Sequence, residues 1–185
     1  MHRADVLVIG GGVAGCAASY YLARHGLRVT LLERDKLNAG ASGQNAGSLH
    51  FQLEFRQIAH GSKIAEQHAV VMPLNLDAMA TWTGLDAELG VPLGVLQHGG
   101  LMVAETDEDV ETLQRKHLLE REWGLECEFM SGSDARAREP GLDTTIAAAE
   151  YVPSEGHANP RLVAPGFAAA AQRLGASVRV RRTRS

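Results

Sequence analysis

The sequence predicts an α/β fold in which a Rossmann-like sheet carries an inserted region of helices and antiparallel strands. Residues 5–33 follow the order strand, glycine turn, helix and strand, which opens a βαβ unit. Residues 51–157 then change to helical spacing and short strands separated by turn signals. A helix and a strand follow over 160–181. We therefore expect a dinucleotide-binding sheet with the insert between its parts.

The glycine turn lies where the first predicted strand meets the first predicted helix, with the pattern Gly10-x-Gly12-x-x-Gly15. Gly10 permits a tight turn, Gly12 lets a pyrophosphate approach the backbone because it has no Cβ, and Gly15 lets the helix pack closely on the strand. The helix begins at Val13 and Ala14, and its free N–H groups would point at the phosphates. In this strand, turn and helix setting, the pattern predicts FAD or NAD(P) binding.

The second predicted strand, 28–32, delivers Glu33 at its carboxyl end. This acid can accept hydrogen bonds from both ribose hydroxyls, and it would repel a 2′-phosphate. An NADP-type ligand is therefore disfavoured, although the neighbouring Arg34 weakens that exclusion.

A second glycine-rich loop covers 40–47 and contains three glycines, two alanines and three polar side chains. Such a loop can lay its backbone against a flat ligand and offer N–H groups and small polar side chains to it. A flexible surface turn explains the composition equally well.

The insert opens with helical spacing over 62–88, which Pro73 should kink or divide and Gly90 should end. Two strands are then predicted over 93–97 and 101–104, around His98-Gly99-Gly100.

A capping box at Thr106 starts the next helix, which runs to about Trp123 and presents a charged face interpreted as solvated surface. Ser133 is the predicted cap of a short helix, and 147–152 is the third predicted strand of the insert.

The last predicted helix has Asn159 as its N-cap and Pro160 at its first position. Pro165 and the glycine after it should bend or restart this helix, and a strand is predicted over 177–181.

The composition is that of an ordinary globular protein, with 185 residues, 45% hydrophobic and 22% charged, and a net charge of −4. This charge gives no electrostatic case for nucleic acid or an anionic membrane as partner. The two cysteines, Cys16 and Cys127, have no spacing that indicates a metal site or a disulfide framework, so no metal is expected. No apolar run is long enough for a membrane span, and a cytoplasmic location is the default expectation.

Taken together, the glycine pattern, Glu33 and the loop 40–47 resemble the FAD-dependent oxidoreductases of the D-amino-acid oxidase superfamily. The resemblance implies an FAD-binding part over 1–50 and 158–185, and a substrate-facing helical and β region, incomplete here, over 51–157. It covers nearly the whole chain, with specific motifs near the start and softer ones later.

By position, the resemblance assigns cofactor contacts to the turn, the acid, the second loop and the last strand. These residues are Gly10, Gly12, Val13, Ala14, Gly15, Glu33, Arg34, Ala41, Ser42, Gln44, Asn45, Ala46, Gly47 and Val178. Relatives similar to dimethylglycine dehydrogenase carry a flavin-linking histidine where this chain has Gln44, which has no nucleophilic ring nitrogen. We therefore expect non-covalent FAD.

The resemblance further implies oxidation of the C–N bond of an amino acid, opine or secondary amine, with hydride transfer to flavin. No catalytic residue can be assigned. Tyr151, His157, Asn159 and His50 are polar groups for which structural or surface roles are the simpler interpretation. The alternatives are a non-catalytic FAD- or nucleotide-binding module, and an NAD-dependent dehydrogenase, against which the loop 40–47 argues.

Members of this family are roughly twice as long, so we expect the chain to represent the first half of a usual domain set. A truncated reading frame, a fragment, and a small subunit that needs a partner or a second copy all agree with this. The arginine-rich end, 179–185, is weak evidence for nucleic-acid binding because no aromatic residues interleave it. A sheet lacking half its strands exposes apolar surface, so the chain alone should be insoluble, oligomeric or partly folded.

Overall fold

The computed structural model describes residues 3–181, and contacts divide the chain into two compact units. Unit 1 comprises 1–48, 84–96 and 157–185, and unit 2 comprises 49–83 and 97–156. Part of the arginine-rich end, 182–185, lies outside the described residues. The predicted division at 50 and 158 stays a prediction.

The described chain contains helices and strands throughout, with three consecutive helices between the third and fourth strands. In chain order they are β1 (Val6–Ile9), α1 (Val13–Arg24), β2 (Val29–Glu33), β3 (Ser48–Leu49), α2 (Phe55–Ala59), α3 (Ser62–Ala69), α4 (Met72–Leu89), β4 (Gly100–Ala104), α5 (Asp107–Glu122), β5 (Glu128–Ser131), α6 (Gly132–Arg138), β6 (Ala148–Val152), β7 (Gly156–His157), α7 (Pro160–Arg173) and β8 (Ser177–Val180).

Unit 1 is built on a parallel sheet with the strand order β1-β2-β8. Val6 pairs with Val29 at one end of the sheet, and Glu33 pairs with Val180 at the other. The first and last predicted strands of the chain therefore share one sheet, as expected for a Rossmann-like fold.

Helices α1 and α7 pack against each other through aromatic side chains. The rings of Tyr20 and Phe167 lie 5.8 Å apart, and those of Tyr21 and Phe167 lie 5.9 Å apart. Cys16 is fully buried in α1 and belongs to the core.

Unit 2 contains an antiparallel sheet with the order β4-β6-β5. One buried cluster joins β4, α5 and β6 through Ala104, Leu113 and Ala148. A second joins β5, α6 and β6 through Met130, Ala135 and Ala149. The short strands β3 and β7 form a separate two-stranded sheet.

The predicted strand over 93–97 is wrong, because only a single bridge between Leu96 and His157 forms there. Gly94 has a φ of +68° and Gly99 a φ of +97°, and these turns interrupt an extended run. The third strand of the sheet is instead β5, which the sequence interpretation missed.

The helix boundaries agree with the predictions better than the strands of unit 2 do, apart from one N-cap residue. The helical stretch before Gly90 divides into α3 and α4 just before Pro73, as predicted. The N-cap of α6 is Ser131, whose Oγ accepts the Asp134 N–H (3.2 Å), so the assignment of Ser133 was wrong.

Helix α7 runs without a restart through Pro165, which lies in its second turn. There a proline removes one hydrogen bond, to the Arg161 carbonyl, and the alanine-rich remainder of the helix continues.

The charged face of α5 is not the solvated surface that was predicted. Lys116 and Glu120 are fully buried and form an ion pair of 2.8 Å. Lys116 also contacts the buried Glu150 of β6 at 2.6 Å.

None of the helices within 3–181 combines the length and apolar character needed to cross a bilayer.

Candidate cofactor site

The glycine turn has the backbone geometry that its residues predict. Gly10 has a φ of +111°, and its N–H donates to the Leu32 carbonyl at 2.8 Å, which fixes the exit from β1 beside β2. A Cβ on Gly15 would lie 2.0 Å from the Gly10 carbonyl oxygen and 3.4 Å from Val8. Only glycine therefore allows α1 to approach the turn and β1 this closely.

The N-terminus of α1 carries no acidic side chain in its first turn, and the Ser42 hydroxyl takes one of its N–H groups. Gly12 is the N-cap and offers no side chain, and the first turn contains no acidic residue. The Val13 N–H donates to Ser42 Oγ at 3.1 Å, so the second loop reaches the start of this helix. The remaining N–H groups of the first turn have no partner within the helix, and the helix dipole favours an anion there.

Glu33 stands at the carboxyl end of β2 beside the turn. One carboxylate oxygen accepts the Gly11 N–H at 2.6 Å, and the other accepts the Asp35 N–H at 2.8 Å. The Gly11 N–H, followed by the Asp35 N–H, holds the pKa of Glu33 below its usual value. A carboxylate has about four lone-pair sites, so two remain for hydroxyl donors.

The second loop is ordered by its own polar side chains. Asn45 Nδ2 donates to the carbonyls of Ala41 and Ser42, both at 3.0 Å, and Asn45 Oδ1 accepts the Gly47 N–H at 2.8 Å. Gln44 Nε2 donates to the Ala39 carbonyl at 2.8 Å. These bonds favour a fixed loop over the flexible turn that the composition also allowed.

Gly47 connects this loop to the residue that precedes the Asn159 cap. Its φ is +76°, and a Cβ there would lie 2.1 Å from the Ala158 carbonyl oxygen. The Ala158 N–H donates to the Gly47 carbonyl at 2.9 Å. The glycine is required both by the turn and by this close approach.

A cavity of about 330 Å³ lies between the glycine turn, the end of β2 and the second loop. It is lined by Gly10, Gly11, Gly12, Glu33, Arg34, Asp35, Lys36, Asn38, Ala39, Gly40, Ala41 and Ser42.

Six of the predicted cofactor contacts line this cavity, and the others do not. The six are Gly10, Gly12, Glu33, Arg34, Ala41 and Ser42. The predicted residues outside the lining are Val13, Ala14, Gly15, Gln44, Asn45, Ala46, Gly47 and Val178. Among these, Val178 of β8 pairs with Leu31 of β2. This pair lies two residues before the pair of Glu33 with Val180.

Asn38 is the main residue that the sequence analysis overlooked. It has a φ of +66°, its N–H donates to the Gly11 carbonyl at 2.9 Å, and its Nδ2 donates to the Pro160 carbonyl at 2.7 Å. It therefore joins the glycine turn to the start of α7. The available signal was an asparagine in the loop after β2, since asparagine tolerates the left-handed conformation better than most residues.

The four polar residues for which structural or surface roles were the simpler interpretation have the following contacts and exposure. Tyr151 donates to the His98 carbonyl at 3.0 Å, and Asn159 caps α7 by accepting the Arg161 N–H at 3.0 Å. His157 is exposed in β7, and His50 is exposed with its Nδ1 3.5 Å from Glu155.

The cavity fits the phosphate and ribose part of FAD. Glycines replace side chains on the wall beside the start of α1, so a pyrophosphate has access to backbone N–H groups. Glu33 keeps acceptor capacity for ribose hydroxyls, and no acid of the first helical turn repels the phosphates.

Comparison with known proteins gives a consistent family. The family described as FAD dependent oxidoreductase (DAO) matches residues 5–184. Glycine oxidase of Geobacillus kaustophilus is 31% identical over 176 residues, which cover 95% of this chain and 45% of that protein. A subunit of the opine oxidase of Rhizobium meliloti is 26% identical over 97% of this chain and 48% of that protein.

A solved structure agrees with this. The crystal structure of glycine oxidase from Geobacillus kaustophilus has a TM-score of 0.82, at 31% identity, over 97% of this chain and 47% of that chain. The chain thus spans about half the length of these relatives. The match over 5–184, together with the geometry of the glycine turn and Glu33, shows that the chain belongs to the DAO family of FAD dependent oxidoreductases.

Proposed function

We propose that the chain holds FAD for an oxidoreductase that oxidises the C–N bond of an amino acid, an opine or another secondary amine. The observation that carries the cofactor part is the cavity that joins the start of α1 to Glu33. When bound, FAD would supply the redox chemistry, and the residues of the chain would hold it.

In this proposal the residues of the chain bind and orient the cofactor. Gly10, Gly12 and Gly15 shape the pyrophosphate site, and Glu33 accepts hydrogen bonds from the adenosine ribose. Ser42 holds the second loop against the start of α1. Gln44 keeps the link non-covalent, since an amide is not a nucleophile for flavin.

The substrate class rests on what the relatives are named for. Glycine oxidase and opine oxidase act, by name, on glycine and on an opine. Both substrates carry a C–N bond next to a carboxylate. We place the substrate of this chain in the same class, in a cytoplasmic enzyme.

A second candidate is a non-catalytic FAD-binding subunit that needs a partner chain. On β1, Leu7 is 55% exposed and Ile9 is 81% exposed. Apolar side chains this exposed on a parallel strand favour coverage by a further polypeptide or a second copy. The similarity to one subunit of an opine oxidase supports the same candidate.

The experiment is to purify the chain, record the flavin absorbance, and release the cofactor with acid for identification. The loaded chain is then mixed without oxygen with glycine, with sarcosine and with an opine. Bleaching of the flavin bands by one of these amines supports the enzyme.

Bound FAD that none of the amines reduces, while dithionite does, supports the non-catalytic subunit. A chain that stays colourless, and gains flavin only with a co-expressed partner, supports the split arrangement. A chain that binds NAD and excludes FAD overturns the proposal.

A further inference from the structure

A cluster of three different ligand-type side chains lies in unit 2, outside the cofactor site. His117 comes from α5, Cys127 directly precedes β5, and Glu150 comes from β6. His117 Nδ1 lies 2.9 Å from Glu150 Oε1 and 3.4 Å from Cys127 Sγ. All three ligand atoms lie within 4.8 Å of one another.

The arrangement does not suit a nucleophilic cysteine. In a Cys-His-acid triad the sulfur and the carboxylate contact opposite nitrogens of the imidazole. Here both contact the same nitrogen, Nδ1. Burial also raises the pKa of the Cys127 thiol, which disfavours a free thiolate.

The same geometry does suit a small cation that lies between the three atoms. Zinc bonds of about 2.0 Å to nitrogen and about 2.3 Å to sulfur place tetrahedral nitrogen and sulfur ligands about 3.5 Å apart. The observed separation of Nδ1 and Sγ is 3.4 Å. The carboxylate oxygen would have to withdraw by only about 0.5 Å to reach the corresponding nitrogen-to-oxygen distance.

The surroundings of Glu150 match those of a metal-bound carboxylate. Its second oxygen accepts a hydrogen bond from Lys116 Nζ at 2.6 Å, which orients the side chain. Its first oxygen faces His117 Nδ1, so Lys116 holds Glu150 from the side away from the cluster. Lys116 also contacts the buried Glu120 at 2.8 Å.

A path for a metal ion and for a fourth ligand is also present. A cavity of about 610 Å³ is lined by His117, Cys127, Tyr151 and other residues of unit 2. His117 is 16% exposed at its side chain, whereas Glu150 is fully buried. The cluster therefore has three protein ligands and one side open to water.

We propose that His117, Cys127 and Glu150 bind a divalent cation of the zinc type, with water as the fourth ligand. Thiolate, imidazole and carboxylate together favour Zn²⁺ or Co²⁺ over Mg²⁺ or Ca²⁺. The site belongs to the insert and is independent of the proposed FAD chemistry.

The test is a titration of the reduced, metal-free full chain with Co²⁺, followed by absorbance spectroscopy. The proposal expects one equivalent of Co²⁺ to give a thiolate-to-cobalt charge-transfer band and the intense visible bands of tetrahedral cobalt. Zn²⁺ should displace the cobalt and abolish both, and Mg²⁺ should leave them unchanged. A wild-type spectrum without the charge-transfer band overturns the proposal.

Two variants with a matched control assign the site. Cys127→Ala and His117→Gln should each lose the charge-transfer band or weaken cobalt binding at least tenfold, with circular dichroism as the check of folding. Cys16→Ala removes the other buried cysteine and should keep the band. A band that disappears with Cys16 and persists without Cys127 places the metal elsewhere and overturns the proposal.

Discussion

At the scale of single residues, the cofactor site depends on places where a side chain cannot fit. The turn after β1 is closed by the contact of Gly15 with the Gly10 carbonyl, and the second loop is closed by the contact of Gly47 with Ala158. Both contacts bring backbone within a distance that any Cβ would occupy. The shape of the turn and of the second loop therefore depends on backbone packing at these two glycines.

Gly15→Ala should destabilise the chain by about 1–3 kcal/mol, because the new Cβ would overlap the Gly10 carbonyl oxygen. Gly40→Ala is the matched control, since a Cβ there meets no atom within 4 Å. Urea denaturation followed by circular dichroism measures both. Equal midpoints for the two variants would contradict this packing role.

Glu120 predicts a pH dependence of stability. Burial raises its pKa, Lys116 opposes this shift and the nearby Glu150 adds to it, and the net result is a rise from 4.5 to about 7. A carboxyl group whose pKa is higher in the folded state binds more protons when folded. Its contribution to stability therefore falls as the pH rises from about 4.5 to about 7.

Glu120→Gln should flatten this part of the profile, which amounts to at most about 3 kcal/mol over the window. The measurement is urea denaturation at a series of pH values in the presence of a chelator. The exposed Glu105→Gln should keep the wild-type slope. A Glu120→Gln slope as steep as that of the wild type would argue against the buried carboxyl as its source.

At the scale of elements, caps and loops decide where helices begin. Thr106 caps α5 by accepting the Asp109 N–H at 3.2 Å, and the Asp109 side chain in turn accepts the Thr106 N–H. Ser131 caps α6 in the same way, without the reciprocal bond.

The two serines near α6 give a direct test of its cap. Ser131→Ala should cost about 1 kcal/mol, because the Asp134 N–H loses its acceptor. Ser133→Ala removes a hydroxyl within the helix and should cost clearly less. Thermal unfolding of both variants compares them, and a larger loss for Ser133→Ala would contradict the assignment.

Local signals in the sequence predicted most of unit 1 and less of unit 2. The glycine pattern, Glu33 and the Asn159 cap follow residue types at fixed spacings, so they were visible without the structure. Strand β5 and the burial of Lys116 depend on partners far along the chain, since β5 pairs with β6 and Lys116 contacts Glu150 of β6. A charged helix face that is buried by such a partner has the same sequence pattern as a solvated one.

In the cofactor site, too, some residues could be predicted from the sequence, and others depend on contacts with distant parts of the chain. The resemblance predicted residues of the turn, of the end of β2 and of the second loop, and six of them line the cavity. Asn38 could not be assigned in that way, because its role comes from contacts with Gly11 and, far along the chain, with Pro160.

At the scale of the whole molecule, the exposed apolar strand β1 sets the expected behaviour in solution. Leu7 and Ile9 lie at the edge of the parallel sheet with more than half of each side chain exposed. Such an edge favours association with another copy or another chain.

The chain should therefore self-associate in sedimentation velocity, and the double variant Leu7→Thr with Ile9→Thr should shift it towards the monomer. Leu118→Thr removes an exposed leucine of unit 2, 69% exposed, and should leave the association unchanged. A wild-type chain that sediments as a single monomer would refute this expectation.

The binding of FAD by the full chain tests the central claim most directly. Titration of FAD fluorescence should show saturation at one FAD per chain, and Glu33→Ala should weaken the affinity about tenfold or more, because hydrogen bonds to a charged group contribute about 1.5–3 kcal/mol. The exposed Glu105→Ala should bind like the wild type. Absence of saturable binding, or an affinity that Glu33→Ala leaves unchanged, would contradict the account.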